Sequence, residues 1–372
     1  MKIPIIAAEL LKFGELWNLG INDLIREIGS KTLNAAGISS KEIDALYISN
    51  AFSAKANNKS LLNSIAFEEL GINNSVCISS GDASGAVAIR EAANSIMSGK
   101  SKIAMVIGVE KVSDVKSNDM ALLSSDMIGS SEYFSGATVQ SQFAIITRKY
   151  FNDFGIGAKN LFFLTAAKHR NAASNEFAQY NFEIDEEKIG SSQIAADPIR
   201  MLECASYCDG AAAIVMCNEG NEKRFKGKIQ GYFLGGSVAN DQLELAKRGS
   251  ITTMEATVKA AKEAYKITRL NAGNIDLMEI YDFVPIAEVI AVEDMGFAKK
   301  GRGIKFVKEN TKKINLSGGL KACGHALGAT GVRQAVDVIK NLEGKKARYG
   351  LAQALAGTGS VSAINIFGNK NA

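Results

Sequence analysis

The sequence predicts a two-lobed α/β protein, and three observations predict it. β-branched runs alternate with amphipathic helical stretches, the pattern of a sheet covered by helices. A unit of strand, small-residue turn and helix occurs once in each half of the chain. The chain has 372 residues, more than one simple core supports and enough for two lobes of ordinary size.

Strands are expected in the first half at Ile3 to Ala8, Ala45 to Ser49, Ser75 to Ser79, Ile103 to Gly108 and Ala211 to Cys217. In the second half they are expected at Lys228 to Phe233, Leu277 to Tyr281, Lys313 to Leu316, Tyr349 to Ala352 and Ser360 to Phe367. The apolar start of the chain, interrupted by Glu9 and Glu15, reads as the first strand rather than a leader peptide. The repeated unit is SVCISSGDASGAVAIREAANSIMSG in the first half and KINLSGGLKACGHALGATGVRQAVDVIKNLEG in the second. Each of its helices opens in Gly, Ala and Ser, so its first turn can approach another backbone closely. Two such units, packed so that these helices meet, give a pseudo-symmetric core. Between Ser117 and Asp197 the strand pattern lapses into helices and loops, an insertion suited to covering a site.

Composition narrows the function classes. Hydrophobic content of 47% with 22% charged residues is globular, not disordered. A net charge of +4, with no basic run interleaved with aromatics, excludes a nucleic-acid footprint. No apolar run approaches the roughly 18 residues that a membrane span needs. Cys77, Cys204, Cys208, Cys217 and Cys323 show neither CxxC nor His-rich spacing. They build no zinc site and no disulfide framework, and they fit a reducing, cytoplasmic setting. Cys77, alternating with Val76 and Ile78, reads as a core residue; Cys204, Cys208 and Cys217 read as packing residues.

Four segments, in order, resemble the thiolase superfamily. Asn315-Leu-Ser-Gly-Gly-Leu-Lys-Ala-Cys-Gly-His325-Ala-Leu-Gly-Ala-Thr-Gly-Val-Arg333 resembles its GHP motif, with Ala326 in place of the proline. KHRNAASNEFAQY (Lys168 to Tyr180) is similar to its NHRNA…NPYAQ stretch, and ADPIRMLECASYCDGAAAIVM (Ala196 to Met216) to its ADPLR…SDGAAA strand. EIYDFVPIAEVIAVEDMGF (Glu279 to Phe297) is similar to EVHDAFTIAEILALEDLGF. The nearest branch is the archaeal and sterol-carrier-type thiolases. The resemblance implies two βαβαβαββ halves forming a five-layer αβαβα core. The first half would span residues 1–220, with a loop domain of about 117–197, and the second residues 221–372. It further implies coenzyme A or acyl-CoA as a ligand, with no covalent cofactor and no metal. The implied partners are further copies of the chain, as a homodimer or a dimer of dimers, with a small zinc-ribbon/OB-fold protein and an acyl-CoA synthase, and neither nucleic acid nor membrane.

Thiolytic chemistry needs a thiolate, a base to activate it, a second acid/base for the α-proton and donors for the thioester oxyanion. The resemblance puts the nucleophile at the start of the first-half central helix, where Asp82 stands in Gly81-Asp82-Ala83-Ser84. Asp82 has two readings there, a helix N-cap or a ligand contact. His325 matches the motif histidine that activates the nucleophile or donates to the thioester oxygen. Tyr281 stands where relatives place the oxyanion-hole Asn or His, and Phe283 where a cysteine can act. Ala354 stands at the acid/base cysteine of CxG, and Ala356 at its glycine. His169 and the small-residue turns at Gly318 and Gly357 are expected to line a pantetheine tunnel with Phe283 and Ala356. Three functions follow: an acyl-thioester-binding protein without thiolysis, working in an acyl-transfer complex; an altered hydrolase or decarboxylase of CoA esters; or an acetyl-transferring thiolase with a displaced nucleophile such as Cys323.

Overall fold

A computed structural model describes residues 2–344 and 347–372. The first half contributes strands β1 (Ile3–Leu10), β2 (Ala45–Ser49), β3 (Ser75–Ile78), β4 (Ile103–Glu110) and β5 (Gly210–Cys217). The second contributes β6 (Gly231–Asn240), β7 (Leu277–Ile280), β8 (Tyr349–Ala356) and β9 (Val361–Gly368). They form one hydrogen-bonded sheet in the order β3-β2-β4-β5-β1-β6-β9-β8-β7. The order is a mirror. In the first half β3, β2 and β4 run parallel, and β5 and β1 follow antiparallel. In the second half β7 and β8 run parallel, and β9 and β6 follow antiparallel. The halves join along a short ladder pairing Ile3 with Phe233, Pro4 with Tyr232 and Ile5 with Gly231.

Helices make the remaining layers. α1 (Ile21–Ala36) buries Ile21, Leu24, Ile25 and Ile28, an apolar stripe at helical spacing, against β1, β4 and β5. Each such side chain, fully buried, contributes about 1.5–3 kcal/mol. α2 (Leu62–Leu70) covers β3 beside it. α3 (Ser84–Met97) follows β3 into the middle of the molecule. The insertion then supplies α4 (Ser117–Ser124), α5 (Val139–Phe154), α6 (Lys159–Ala172) and a short hairpin of Ile194–Ala196 with Ile199–Arg200. Thr138 starts α5 by accepting from the Ser141 N–H at 3.1 Å. α7 (Glu255–Thr268) covers β6 and β9, α8 (Pro285–Asp294) packs on α7, and α9 (Leu327–Gly344) returns to the centre.

α3 and α9 lie between the two half-sheets, so the layers alternate outer helices, half-sheet, central pair, half-sheet, outer helices. The central pair touches backbone to backbone at two glycines. A Cβ on Gly85 would come within 2.7 Å of the Val332 nitrogen, and one on Gly331 within 2.3 Å of the Ala86 nitrogen. Small residues at the helix starts are therefore a steric requirement.

Three elements depart from the expectation. The strand expected at Lys313 to Leu316 shrinks to one bridge between Met278 and Ile314. The next ladder donor, the Ile280 N–H, is taken at 2.6 Å by the Asn315 side chain, and Asn315 turns the chain with a φ of 50°. The strand expected from Lys228 starts at Gly231, because a turn closed by the Lys228 N–H on the Phe225 carbonyl precedes it. Cys77 is exposed rather than core: β3 is an edge strand whose outer side chains nothing covers, and Val76 beside it is 48% exposed.

Candidate active site

The starts of the two central helices converge on one buried carboxylate. Asp82, two residues before α3, is 1% exposed. Its Oδ2 accepts from the Tyr281 hydroxyl at 2.6 Å and lies 3.2 Å from His325 Nε2, a charge-pair distance without hydrogen-bond alignment. Its Oδ1 is buried without a hydrogen-bond partner. The cap reading of Asp82 fails on geometry. No side chain caps α3, and the turn before it is closed instead by Ser84, whose hydroxyl bonds the Gly81 carbonyl and the Ser80 N–H.

Tyr281 directly follows β7, which delivers it to the centre, while its own N–H donates to Gln353 on β8 at 3.0 Å. Burial, and then the Asp82 charge, push its phenol well above the ordinary tyrosine range, so it stands protonated as a donor. His325 is fully buried; its Nδ1 is 2.9 Å from the Thr330 hydroxyl, which fixes the ring one turn into α9. Three rings enclose this imidazole: Tyr281 edge-on at 5.7 Å, Phe283 at 5.8 Å and Tyr207 at 5.6 Å. Ala354 and Ala356 pack with Ala83 and Ala86 against the start of α3. Asp82, His325, Tyr281, Phe283, Ala354 and Ala356 thus share one dry centre.

His169 and Gly318 lie apart from it, and Gly357 follows Ala356 at its edge. His169 is buried with Nδ1 3.0 Å from the Phe182 carbonyl, and burial lowers it to about 4, so it is neutral. Gly318 packs against Ala172 on α6, and Gly357 against the Met127 carbonyl. None of these three borders the cavity of about 820 Å³ beside the insertion. That cavity is instead walled by the residues after β4, by the insertion and by the segment after it, including Lys116, Thr138, Gln140, Met201 and Ser206, and Tyr207 is part of its wall. Glu15, Asp114 and Lys116 are the charged residues among its described lining.

Sequence reasoning missed Tyr207 and Glu110. Tyr207 lies in a segment quoted only for its resemblance, and its aromatic ring beside Ser206 was the available signal. Glu110 ends β4 fully buried and ties the first half to the His325 turn. Its carboxylate accepts from Asn50 Nδ2 at 3.0 Å and from the N–H groups of Ala51 at 2.9 Å, Phe52 at 3.1 Å and Gly328 at 2.9 Å. Burial nevertheless raises it to about 7, the Asp82 charge adding a smaller push. A carboxylate at the end of an otherwise apolar strand was its only sequence signal.

A second buried network fixes the run into His325. Lys168 pairs with Glu288 at 2.7 Å, and Glu288 also accepts from Asn315 at 2.9 Å. Ser317 donates to Glu279 at 2.7 Å, Arg333 to Asp337 at 2.7 Å, and the Leu320 N–H to Asp282 at 2.6 Å. Burial and the neighbouring Glu288 raise Asp282 to about 7. The thiols lie outside the carboxylate's bonds. Cys323 packs among Ala172, Ala178 and Ala322, and Cys204 lies in the cavity wall. Burial pushes both up to about 12, the reverse of an activated nucleophile. Among the described residues no group of three or more His, Cys, Asp or Glu could hold a metal ion, and no helix is long and apolar enough to cross a membrane.

The arrangement defines a two-half α/β protein with an acid–base centre buried where its central helices meet. The chain belongs to the thiolase family: the thiolase N-terminal domain matches residues 3–220 and the thiolase C-terminal domain-like model residues 237–369. It is 34% identical to the acetyl-CoA acetyltransferase of Methanocaldococcus jannaschii, over 99% of both chains. It is 24% identical to human sterol carrier protein 2, over 87% of this chain and 62% of that one. Human mitochondrial 3-ketoacyl-CoA thiolase has the same fold, with a TM-score of 0.81 at 16% identity over 99% of both chains.

Proposed function

We propose that this protein holds an acyl-CoA or related acyl thioester in the cavity that Tyr207 lines, and does not perform thiolytic acyl transfer. The observation that carries the reading is Asp82: a carboxylate, bonded by a phenol and 3.2 Å from an imidazole, occupies the start of the central helix. A carboxylate is a far weaker nucleophile toward a thioester than a thiolate, and the buried thiols are raised rather than lowered. The cavity, at about 820 Å³, is within the usual range for small-molecule sites. Its neutral polar wall suits a pantetheine arm, which carries amides and no charge. A solved relative, the Ascaris suum Acat5 thiolase, is a complex with coenzyme A, and the family relatives named acetyl-CoA acetyltransferase fit the same ligand class. The uncovered edge of β3 supports a homodimer through that strand. A fold neighbour described as an Ltp2-ChsH2(DUF35) aldolase is consistent with service in an acyl-transfer complex.

A second reading rests on the same trio. Tyr281, hydrogen-bonded to Asp82, and His325, 3.2 Å from the same carboxylate, form an acid–base set able to move a proton on a bound CoA ester without a covalent intermediate. One experiment separates the readings. Intact mass after incubation with acetyl-CoA should show no acetyl adduct, and acetoacetyl-CoA should not be cleaved above background. A stable gain of one acetyl group overturns both readings and promotes a displaced nucleophile. Solvent-deuterium exchange into the α-position of a bound acyl-CoA selects the proton-transfer reading.

A further inference from the structure

We propose that Tyr207 is the gate between the cavity and the buried centre, deciding which acyl groups reach His325. The inference rests on the reading of the cavity as a thioester site. Tyr207 stands at the boundary: it lines the cavity, and its ring lies 5.6 Å from the His325 ring and 5.7 Å from that of Phe283. The backbone around it is fixed. The His325 N–H donates to the Ser206 carbonyl at 3.1 Å, and the Cys208 N–H to the His325 carbonyl at 3.2 Å. Opening therefore falls to the side chain.

The latch is in the insertion. Ser124, the last residue of α4, lines the cavity together with Tyr207, its side chain acting on the phenol as a hydrogen-bonding group. Burial pushes the phenol well above its ordinary range, so it remains a neutral donor or acceptor across the working pH range. The charged and titratable groups facing it are Asp82 and Cys204, with His325 against its ring. A ligand lying in the cavity meets Ser124 and Tyr207 together. An amide or thioester oxygen placed there competes for the same hydroxyls, which releases the ring. A ligand with no such acceptor leaves the ring in place and Asp82 dry. Selection then comes before any chemistry, at one aromatic side chain held by one hydrogen bond.

The test reads access directly. Asp82→Cys, made with Cys77→Ser to remove the exposed thiol, puts a reporter thiol behind the gate; alkylation by iodoacetamide is followed by peptide mass. Tyr207→Gly should speed labelling at position 82 by at least tenfold. Tyr207→Phe and Ser124→Ala, which keep a ring but remove the latch, should each give a smaller rise. An unchanged rate in Tyr207→Gly overturns the gate. So does a parallel rise at Cys208 and Cys323, which would report general loosening. Should Tyr207→Gly fail to fold, no rise in either latch variant overturns the gate as well. Coenzyme A at millimolar concentration should slow labelling in the opened variant. Labelling that depends on Tyr207 but ignores coenzyme A leaves the gate standing and sinks the thioester reading of the cavity.

Discussion

The two central helices begin differently, and the difference separates structure from chemistry. α9 begins against a partner from the other half: Glu110 on β4 accepts from the Gly328 N–H, while the Ser49 hydroxyl donates to the Gly328 carbonyl at 2.8 Å. α3 begins with Ser84 closing its own turn and with one bond from the other half, Asn365 Nδ2 donating to the Ala86 carbonyl at 3.0 Å, and it leaves Asp82 Oδ1 buried and unpartnered. The second-half start is thus tied across the pseudo-symmetric interface. The first-half start closes its turn with Ser84 and aims its carboxylate away from the helix, at Tyr281 and His325. A buried carboxylate that stabilises no helix is costly to keep, which makes the α3 start the candidate functional one.

The comparison can be broken most directly at Glu110. Glu110→Ala leaves the N–H groups of Ala51, Phe52 and Gly328 without their acceptor, and should lower unfolding free energy by about 3 kcal/mol or more in urea denaturation. Ser84→Ala loses only a local turn bond and should cost about 1 kcal/mol. Equal losses for the two would mean that Glu110 holds the α9 start no more firmly than a local turn bond does. Between them falls Tyr281→Phe, which removes the donor to Asp82 and should cost about 1–3 kcal/mol, because the remaining buried carboxylate oxygen loses its partner.

The chemistry of the α3 start is sharpened by restoring a thiol. Asp82→Cys puts a thiol at the end of a helix, where its pKa should fall, with His325 in place as a base. Slow acylation by acetyl-CoA without turnover is the expected outcome, since Phe283 and Ala354 offer no second acid/base, an absence typically worth 10²–10⁴-fold. Adding Phe283→Cys or Ala354→Cys should be needed for measurable condensation. Robust thiolysis by the single variant would mean that the roles given to Tyr281, Phe283 and Ala354 are wrong.

Two smaller effects concern charge and edges. Glu110 and Glu203 are raised to about 7 from an ordinary value near 4.5, chiefly by burial. In that window the folded chain binds more protons than the unfolded one. Their contribution to stability is therefore complete below about pH 4.5 and lost as pH rises through about 7. Glu203→Gln should flatten part of this slope when urea midpoints are compared at acid and neutral pH. At the sheet edges the halves differ again: β3 is open, while β7 is closed by the Ile314 bridge. Val76→Lys should shift sedimentation toward monomer if copies pair through β3; an unchanged species would move the dimer contact elsewhere.

Much of this was legible because it is periodic. The repeated strand–turn–helix unit gave the mirror topology, since alternating and helical spacing need only local sequence. The convergence of Asp82, Tyr281 and His325 was legible through motif resemblance, which carries tertiary information in residues far apart in the chain. What stayed hidden depended on who sits next to whom. Cys77 alternates like a core residue, but burial on an edge strand is set by neighbours the local pattern does not encode. The strand expected at Lys313 to Leu316 ended because one asparagine side chain captured a ladder donor.

By itself the sequence determined the class of fold, the pairing of the helix starts and the identity of the groups at the centre. Hydrophobic period, glycine placement and residue type are properties of the chain. Only the tertiary structure decided that Asp82 caps nothing, that Glu110 holds the opposite half, and that the cavity is lined by Tyr207 rather than by His169, Gly318 or Gly357. Those outcomes turn on desolvation and on hydrogen-bond partners that lie more than 100 residues away. Neither quantity exists until the two halves have packed.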